Sequence, residues 1–264
     1  MLRTTVGSIE ITALVDTTFA FPATQLFPDA NPSAVSAYAD LMRDDGAVSM
    51  ICGASVLRGD GRTVLVDTGN GPGGQLPAEL AAAGVAPSEV EIVVFTHLHG
   101  DHTGWNIDRD TGKPLFANAR YWIPQADWEH YGERAGRNWE TTLAPLEPAG
   151  VVELFEGERA LTPSLTLVPT PGHTPGHTSI ELRSAGEQAF ILGDAVVDEI
   201  NLNEPDWANM FDGDDPTAIA TRHRLIPRLT ASGELIVAAH LGASGVGRFA
   251  RIGDRLRFAN FERG

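Results

Sequence analysis

Polar and apolar residues alternate along several short stretches of the chain, and this period of two predicts β-strands. SIEITALVD at 8–16 alternates in this way. ASVLRGDGRTVLVDTG at 54–69 predicts a hairpin with Gly-Asp-Gly at 59–61 in its turn. The stretch EVEIVVF at 89–95, which ends in four apolar residues, predicts a buried strand that leads into FTHLHGDHTG.

Helical patterns lie between the predicted strands. LPAELAAAGV at 76–85 is rich in Ala and Leu and predicts a short helix. DPTAIATRHRLIPRL at 215–229 predicts a longer helix, with Asp215 as its cap and Pro216 at its first position. We expect Pro227 to bend or end this helix, because proline has no N–H for the helical hydrogen bond.

Strands and helices follow one another in two halves of similar plan, and the second half carries strand patterns in SLTLVPT, TSIELRS and QAFILGD. This order predicts an α/β protein in which two β-sheets pack face to face with helices outside. No linker rich in Pro, Gly or Ser separates the halves, so we expect residues 1–264 to form a single domain.

Composition narrows the range of partners. The 264 residues carry a formal net charge of −16, which argues against binding to nucleic acid or to an anionic membrane surface. No apolar run approaches the roughly 20 residues that span a bilayer, and no signal-peptide pattern opens the chain, so we expect a cytoplasmic protein. The single cysteine, Cys52, excludes an intramolecular disulfide and predicts a buried packing residue.

The stretch FTHLHGDHTG at 95–104 concentrates groups that bind metals. His97 and His99 are two residues apart after a predicted strand, so their rings can point to the same side and face one metal ion. Asp101 and His102 follow in the turn and point elsewhere. Imidazole and carboxylate are good ligands for zinc and its first-row neighbours.

Further candidate ligands follow apolar strands downstream. TPGHTPGH contains His173 and His177, FILGD ends with Asp194, and LIVAAH ends with His240. Loops at strand ends are common places for functional groups that a rigid scaffold positions.

This combination of motifs resembles the metallo-β-lactamase superfamily. FTHLHGDHTG is similar to its HxHxDH signature, and TPGHTPGH, LGD and AAH are similar to its later metal motifs. The resemblance implies a four-layer αβ/βα sandwich with two metal ions at its edge. It implies one ion held by His97, His99 and His173, a second held by Asp101, His102 and His240, and Asp194 as the bridge between them.

Two neighbouring positions gain a role from the same resemblance. The family uses the first histidine of the TPGHTPGH pattern as a ligand, so we assign His173 to the metal and expect His177 to hold the turn by a hydrogen bond. Asp67 in LVDTG matches a position that supports a ligand histidine and fixes its tautomer.

Two divalent cations can share a water molecule and lower its pKa, so the expected reaction is hydrolysis by a metal-bridging hydroxide. The expected catalytic residues are Asp101, which orients the nucleophile and moves its proton, and the bridging Asp194. We expect zinc as the cofactor, with Mn, Co or Fe as alternatives.

The rest of the sequence is similar to the lactonase and methyl parathion hydrolase-like branch of this superfamily. That resemblance implies a small-molecule substrate and allows a homodimer. A neutral, fairly hydrophobic lactone or ester is expected, with a phosphotriester also open. Val197 stands where homoserine lactonases carry Tyr, and this leaves the choice of lactone open. The aromatic residues expected near the substrate are Phe21, Phe27, Trp105, Trp207 and Phe211.

Three other functions are compatible with parts of the pattern. A persulfide dioxygenase-like enzyme would use one iron ion on the same fold. A thioester hydrolase would share the two-metal site, and a binding module would have lost catalysis. Asp101, His102 and His240 favour two metals over one.

Overall fold

The computed structural model describes residues 1–261, and two mixed β-sheets of seven strands each dominate that part of the chain. The first sheet has the spatial order β1 to β7, with these bounds: β1 Leu2–Val6, β2 Ile9–Pro22, β3 Ala47–Gly59, β4 Arg62–Val66, β5 Ile92–Val94, β6 Arg120–Pro124 and β7 Val152–Phe155. Strands β1 to β4 pair antiparallel, whereas β4 to β7 pair parallel.

The second sheet contains the other half of the chain in the reverse spatial order. Its strands are β8 Arg159–Ala160, β9 Leu165–Pro169, β10 Thr178–Ser184, β11 Glu187–Gly193, β12 Leu235–Ala238, β13 Val246–Ile252 and β14 Arg255–Asn260. Only β11 and β12 pair parallel in this sheet. Each sheet is therefore built from one uninterrupted stretch of sequence.

Six α-helices lie among the described residues: α1 Ala23–Leu26, α2 Pro32–Val35, α3 Leu76–Ala82, α4 Gly100–Thr103, α5 Gln125–Arg134 and α6 Asp215–Ser232. Shorter helical turns cover Ser36–Leu41, Pro87–Glu89, Trp139–Leu143, Ala144–Leu146 and Glu199–Leu202. No helix within residues 1–261 is long and apolar enough to cross a membrane.

Alternation along the strands divides the core into layers. In β4, Val64 and Val66 face the second sheet, while Leu65 between them faces the helices that cover the first sheet. In β11, Ile191 faces the first sheet, whereas Phe190 packs with buried residues of α6. Successive side chains of a strand point to opposite faces, so strands covered on both sides have almost no polar positions. The layer order is helix, sheet, sheet, helix, and the expected αβ/βα sandwich is confirmed.

Local predictions differ in their outcome. The hairpin at 54–69 is confirmed: β3 and β4 meet at Asp60 and Gly61, whose φ angles of 52° and 70° suit a tight two-residue turn. The expectation that Pro227 could end its helix is wrong, because α6 continues to Ser232 and is capped by Gly233. The cap at the other end is Asp214, one residue earlier than expected, and its side chain accepts from the Thr217 N–H.

The N-terminal strand is longer than its alternating pattern. Strand β2 continues past Asp16 to Pro22 and pairs with β3, with a register shift between Val15 and Thr17. Residues 23–42, which we call the cap segment, follow β2 and precede β3. Their buried apolar side chains, among them Phe27 and Tyr38, pack with Val197, Ile200 and Trp207 of the same chain.

Candidate metal centre

The predicted ligands come together between the two sheets, at the ends of strands. His97 and His99 lie just after β5, Asp194 follows β11, and His240 lies two residues beyond β12. His173 lies in the turn between β9 and β10. Residues far apart in sequence thus contribute to one centre.

The first group contains His97, His99 and His173. His99 Nδ1 lies 3.1 Å from His97 Nε2 and 3.0 Å from His173 Nε2. One donor atom from each ring falls within a sphere that a single metal ion could occupy.

The second group contains Asp101, His102 and His240. Asp101 Oδ2 lies 3.7 Å from His102 Nε2 and 3.6 Å from His240 Nε2. Asp101 and His102 both belong to α4, and the His102 ring lies next to His97 of the first group, with ring centroids 4.0 Å apart.

Asp194 lies between the two groups. Its Oδ2 is 3.3 Å from His173 Nε2 and 3.0 Å from His240 Nε2, and its Oδ1 is 3.4 Å from His102 Nε2. One carboxylate therefore faces histidines of both groups, which is the geometry that a bridging ligand requires.

The chemistry of the donor set fits metal ions. His102 Nε2 and Asp194 Oδ1 are buried and have no hydrogen-bond partner among the described residues. Buried polar atoms without a partner cost free energy, so they are rare unless an ion or water satisfies them. Two divalent ions at this centre would complete the coordination of both atoms.

Four of the histidines are held in a common orientation by an oxygen on Nδ1. His97 Nδ1 lies 3.1 Å from Thr96 Oγ1, and His240 Nδ1 donates to the Ile51 carbonyl at 2.7 Å. His102 and His173 have carboxylate partners on Nδ1, Asp67 and Asp212 respectively. In each ring the Nε2 atom remains directed at Asp194. Such contacts fix the tautomer of a metal-binding imidazole.

Asp67 lies where the resemblance places a supporting carboxylate. Its Oδ2 accepts from His102 Nδ1 at 2.8 Å and from the Thr96 hydroxyl, and its Oδ1 accepts from the Thr96 N–H. A carboxylate with three donors is rigidly oriented, so His102 is rigidly oriented as well.

Asp212 and Arg222 were missed at the sequence level. Asp212 Oδ1 lies 3.2 Å from His173 Nδ1, and its Oδ2 accepts from the buried Arg222 guanidinium at 2.7 Å. Arg222 also donates to the carbonyl oxygens of Pro205 and Trp207. The helical period gave a signal, since Arg222 lies three positions before Leu225 on the buried face of α6.

His177 forms the hydrogen bonds expected of a residue that holds the turn. Its Nδ1 donates to the Thr170 carbonyl at 3.1 Å, and its Nε2 accepts from the Asp194 N–H at 2.8 Å. Cys52 is buried as predicted, and its thiol donates to the backbone carbonyl of Asp101 at 3.2 Å.

Electrostatics keep the centre anionic at Asp194. Burial by itself would raise the pKa of Asp194, but the imidazoles of His240, His102 and His97 hold it well below its usual range. Burial, together with repulsion from His102, lowers the pKa of His97. Although burial opposes the shift, Asp194 raises the pKa values of His102, His173 and His240, so a metal ion that binds here must displace protons from these rings.

A cavity of about 640 Å³ opens above this centre. Asp101, His99, His173, Asp194 and His240 form its floor. Its walls are largely apolar and include Phe19, Phe21, Met50, Val197, Met210 and Phe211, with Asn70 and Asn138 as uncharged polar residues.

Two of the five aromatic residues expected near the substrate line this cavity, and three do not. Phe21 and Phe211 line it, and their rings pack edge to face with centroids 5.2 Å apart. Phe27 and Trp207 pack against each other in the core under the cap segment, and Trp105 donates its indole N–H to Asp16. Phe27, Trp105 and Trp207 therefore stabilise the surroundings of the cavity instead of lining it.

Comparison with known proteins places these motifs in a family. The sequence model described as "Metallo-beta-lactamase superfamily" matches residues 50–240. An N-acyl homoserine lactonase of a Bacillus species is 28% identical over 148 residues, which is 55% of this chain and 54% of that protein. The human metallo-beta-lactamase domain-containing protein 1 is 30% identical over 67% of this chain and 57% of its own length. The chain spans about half the length of the curated relatives it matches.

Solved structures support the same fold. AidC, a dizinc quorum-quenching lactonase in complex with a product, has a TM-score of 0.87 at 20% identity and covers 100% of this chain and 98% of its own. The hydrolase AbOPH has a TM-score of 0.88 at 22% identity over 99% of this chain and 97% of its own. At this level of identity the likeness establishes the fold.

Proposed function

Because the chain belongs to the metallo-beta-lactamase superfamily, we propose that it is a two-metal hydrolase that cleaves a neutral, hydrophobic lactone or ester. The observation that carries the proposal is the convergence of both candidate ligand groups on Asp194 at the floor of an apolar cavity. The proposal includes the seven ligands inferred from the motifs and treats the chain as one domain, of which residues 262–264 lie outside the described part.

When bound, two divalent metal ions would activate a water molecule and polarise the oxygen of the scissile group. Asp101 is suited to accept the proton of that water, because its carboxylate faces the cavity and is more accessible than the carboxylate of Asp194. The backbone N–H of Asp194 donates to His177 Nε2, which holds the main chain at this residue while its two carboxylate oxygens face both ligand groups.

The walls of the cavity support the choice of substrate. No Lys or Arg lies among its lining residues in the described part of the chain, and Phe19, Phe21 and Phe211 present apolar surface. A neutral molecule with a hydrophobic group suits such a site better than an anion. The lactonase relatives in Bacillus agree with a lactone, and zinc is the metal we propose first.

Metal analysis of the purified protein, together with a panel of hydrolysis assays, tests the proposal. The panel contains lactones of several chain lengths, aryl esters, a thioester, a β-lactam and a phosphotriester. We expect about two metal ions per chain, with turnover of a lactone or an ester. One iron ion per chain without hydrolysis would contradict the proposal and favour the oxygenase; turnover of the phosphotriester or thioester alone would correct the substrate.

Two variants connect the activity to the centre. His97→Ala removes a ring of the first group, and Asp101→Ala removes the proposed proton acceptor, so we expect both to abolish hydrolysis while circular dichroism remains unchanged. His223→Ala is the matched control, because this exposed histidine pairs with Asp206 away from the cavity. Near-complete activity in either of the first two variants would refute the assignment.

A further inference from the structure

Asp127 is a buried carboxylate that the proposed reaction does not use. It lies in the first turn of α5 and has no exposed surface. Three donors satisfy it: Oδ2 accepts from the Leu98 N–H at 3.2 Å and from the Thr174 hydroxyl at 2.8 Å, and Oδ1 accepts from the Gly176 N–H at 2.6 Å.

These donors belong to the two loops that supply the first ligand group. Leu98 lies between His97 and His99, and Thr174 follows His173 directly. The first loop follows β5 of the first sheet, and the second loop connects β9 and β10 of the second sheet. Asp127 therefore connects ligand loops from the two halves of the chain.

The contact is close as well as polar. A Cβ atom at Gly176 would lie 2.8 Å from the Asp127 backbone nitrogen and 2.9 Å from its Oδ1. Only glycine allows the loop after His173 to approach the start of α5 so closely. The loop after His173 therefore lies in direct contact with the Asp127 carboxylate, as well as being hydrogen-bonded to it.

Resting on the proposed function, we propose that Asp127 is a positioning residue for metal binding, which fixes the loop of His97 and His99 against the loop of His173. The two loops also meet through the hydrogen bond from the Thr178 N–H to the Thr96 carbonyl at 2.8 Å. Asp127 binds closer to the ligands, at Leu98 between His97 and His99 and at Thr174 directly after His173, so its loss should loosen the relative placement of the three ring nitrogens. The second group, with Asp101, His102 and His240, is not held by Asp127.

Asp127→Asn tests the proposal, since the amide keeps the size of the side chain but lacks one of the two acceptor oxygens. Zinc affinity is measured by competition of the zinc-loaded protein with a chelator. We expect one of the two zinc dissociation constants to rise by about 10–100-fold, the range for changes behind metal ligands, and the other to change less than about threefold.

Asp16→Asn is the matched control. Asp16 is equally buried and also has three donors, the N–H groups of Asn70 and Leu76 and the indole of Trp105, but it binds neither loop of the first group. We expect a loss of thermal stability in both variants and the selective loss of zinc affinity only in Asp127→Asn.

Thr174→Val provides a second test if Asp127→Asn fails to fold, because it removes a single hydrogen bond from the same link. We expect the same dissociation constant to rise by a smaller factor. Unchanged zinc affinity in the folded variants, or an equal loss in Asp16→Asn, would reduce Asp127 to a structural role. A wild-type protein without bound metal would instead overturn the proposed function itself.

Discussion

At the residue scale, Asp67 combines an unusual backbone with a demanding side-chain role. Its φ of 58° is left-handed, a conformation that Asp tolerates better than most residues. That backbone accompanies a carboxylate that binds Thr96 and His102 through three hydrogen bonds. A change here should therefore affect the metal centre without any contact to the substrate.

We predict that Asp67→Asn lowers zinc affinity or kcat by about 10–100-fold. The amide tolerates the left-handed backbone but replaces one acceptor oxygen by an N–H₂ group, so one of the three donors loses its partner. Steady-state kinetics at saturating zinc and chelator competition measure the two effects. Asp60→Asn controls for the backbone, because Asp60 has a φ of 52° in a turn remote from the centre; equal losses in both variants would contradict the prediction.

Asp198 links stability to pH. Burial raises its pKa to about 6, against the hydrogen bond from the Ile200 N–H and that of Glu199. Between about pH 4 and pH 6 the folded protein holds a proton that the unfolded chain has released, so this residue's contribution to stability falls as pH rises.

We predict that Asp198→Asn is more stable than the wild type by up to about 3 kcal/mol above pH 6, with a difference near zero at pH 4. Asn keeps the side-chain oxygen that caps the turn at Glu199–Leu202 but has no charge to bury. Denaturant unfolding at several pH values measures the difference. A difference that is independent of pH would show that the carboxyl group is not the cause.

At the element scale, α6 shows how packing overrides a local signal. Pro227 removes a helical hydrogen bond, yet Leu225, Ile226 and Leu229 on the same turns are buried in the core of the second sheet. Burial of several large side chains offsets a cost of roughly 3 kcal/mol, so the helix continues past the proline.

We predict that Pro227→Ala raises the free energy of unfolding by about 1–3 kcal/mol, because the new N–H can donate within the helix and alanine favours it. Pro227 is exposed, so the replacement leaves no cavity. Pro216→Ala in the first turn of α6 should change stability much less, because an N–H at that position has no carbonyl partner within the helix. Loss of stability in Pro227→Ala would indicate that the proline stabilises this helix.

At the scale of the whole molecule, the candidate centre joins the two halves of the chain. His97, His99, Asp101 and His102 come from the first half, whereas His173, Asp194 and His240 come from the second. Metal ions bound there would contact both halves of the folded protein and would lose this site on unfolding.

We predict that chelation lowers the thermal stability of the metal-loaded protein. A ligand at a thousandfold excess over its dissociation constant stabilises the folded state by about 4 kcal/mol, which corresponds to roughly 8–16 °C for a chain of this size. Calorimetry with and without EDTA measures the shift, and restored zinc should reverse it. A melting temperature that is insensitive to EDTA would contradict tight binding at this centre.

The layers were predictable because they depend on local pattern, whereas the grouping of His173, Asp194 and His240 with the residues of FTHLHGDHTG came from the resemblance to a family. The alternation around Leu65 and the spacing from His97 to His102 can each be recognised within a window of a few residues. The length of β2 was missed because the irregularity at Asp16 interrupts its alternation. Asp127, Asp212 and Arg222 were missed because their roles depend on contacts between distant segments, such as the 39 residues between His173 and Asp212.

The contiguous halves also have a consequence for biosynthesis. All strands of the first sheet, Leu2 to Phe155, are translated before any strand of the second sheet. Both candidate ligand groups, however, include a residue of the second half, His173 in the first and His240 in the second, and Asp194 between them also comes from that half. Metal acquisition should therefore be a late event in the life of each molecule, and premature termination before His173 should yield a polypeptide that competes poorly for zinc.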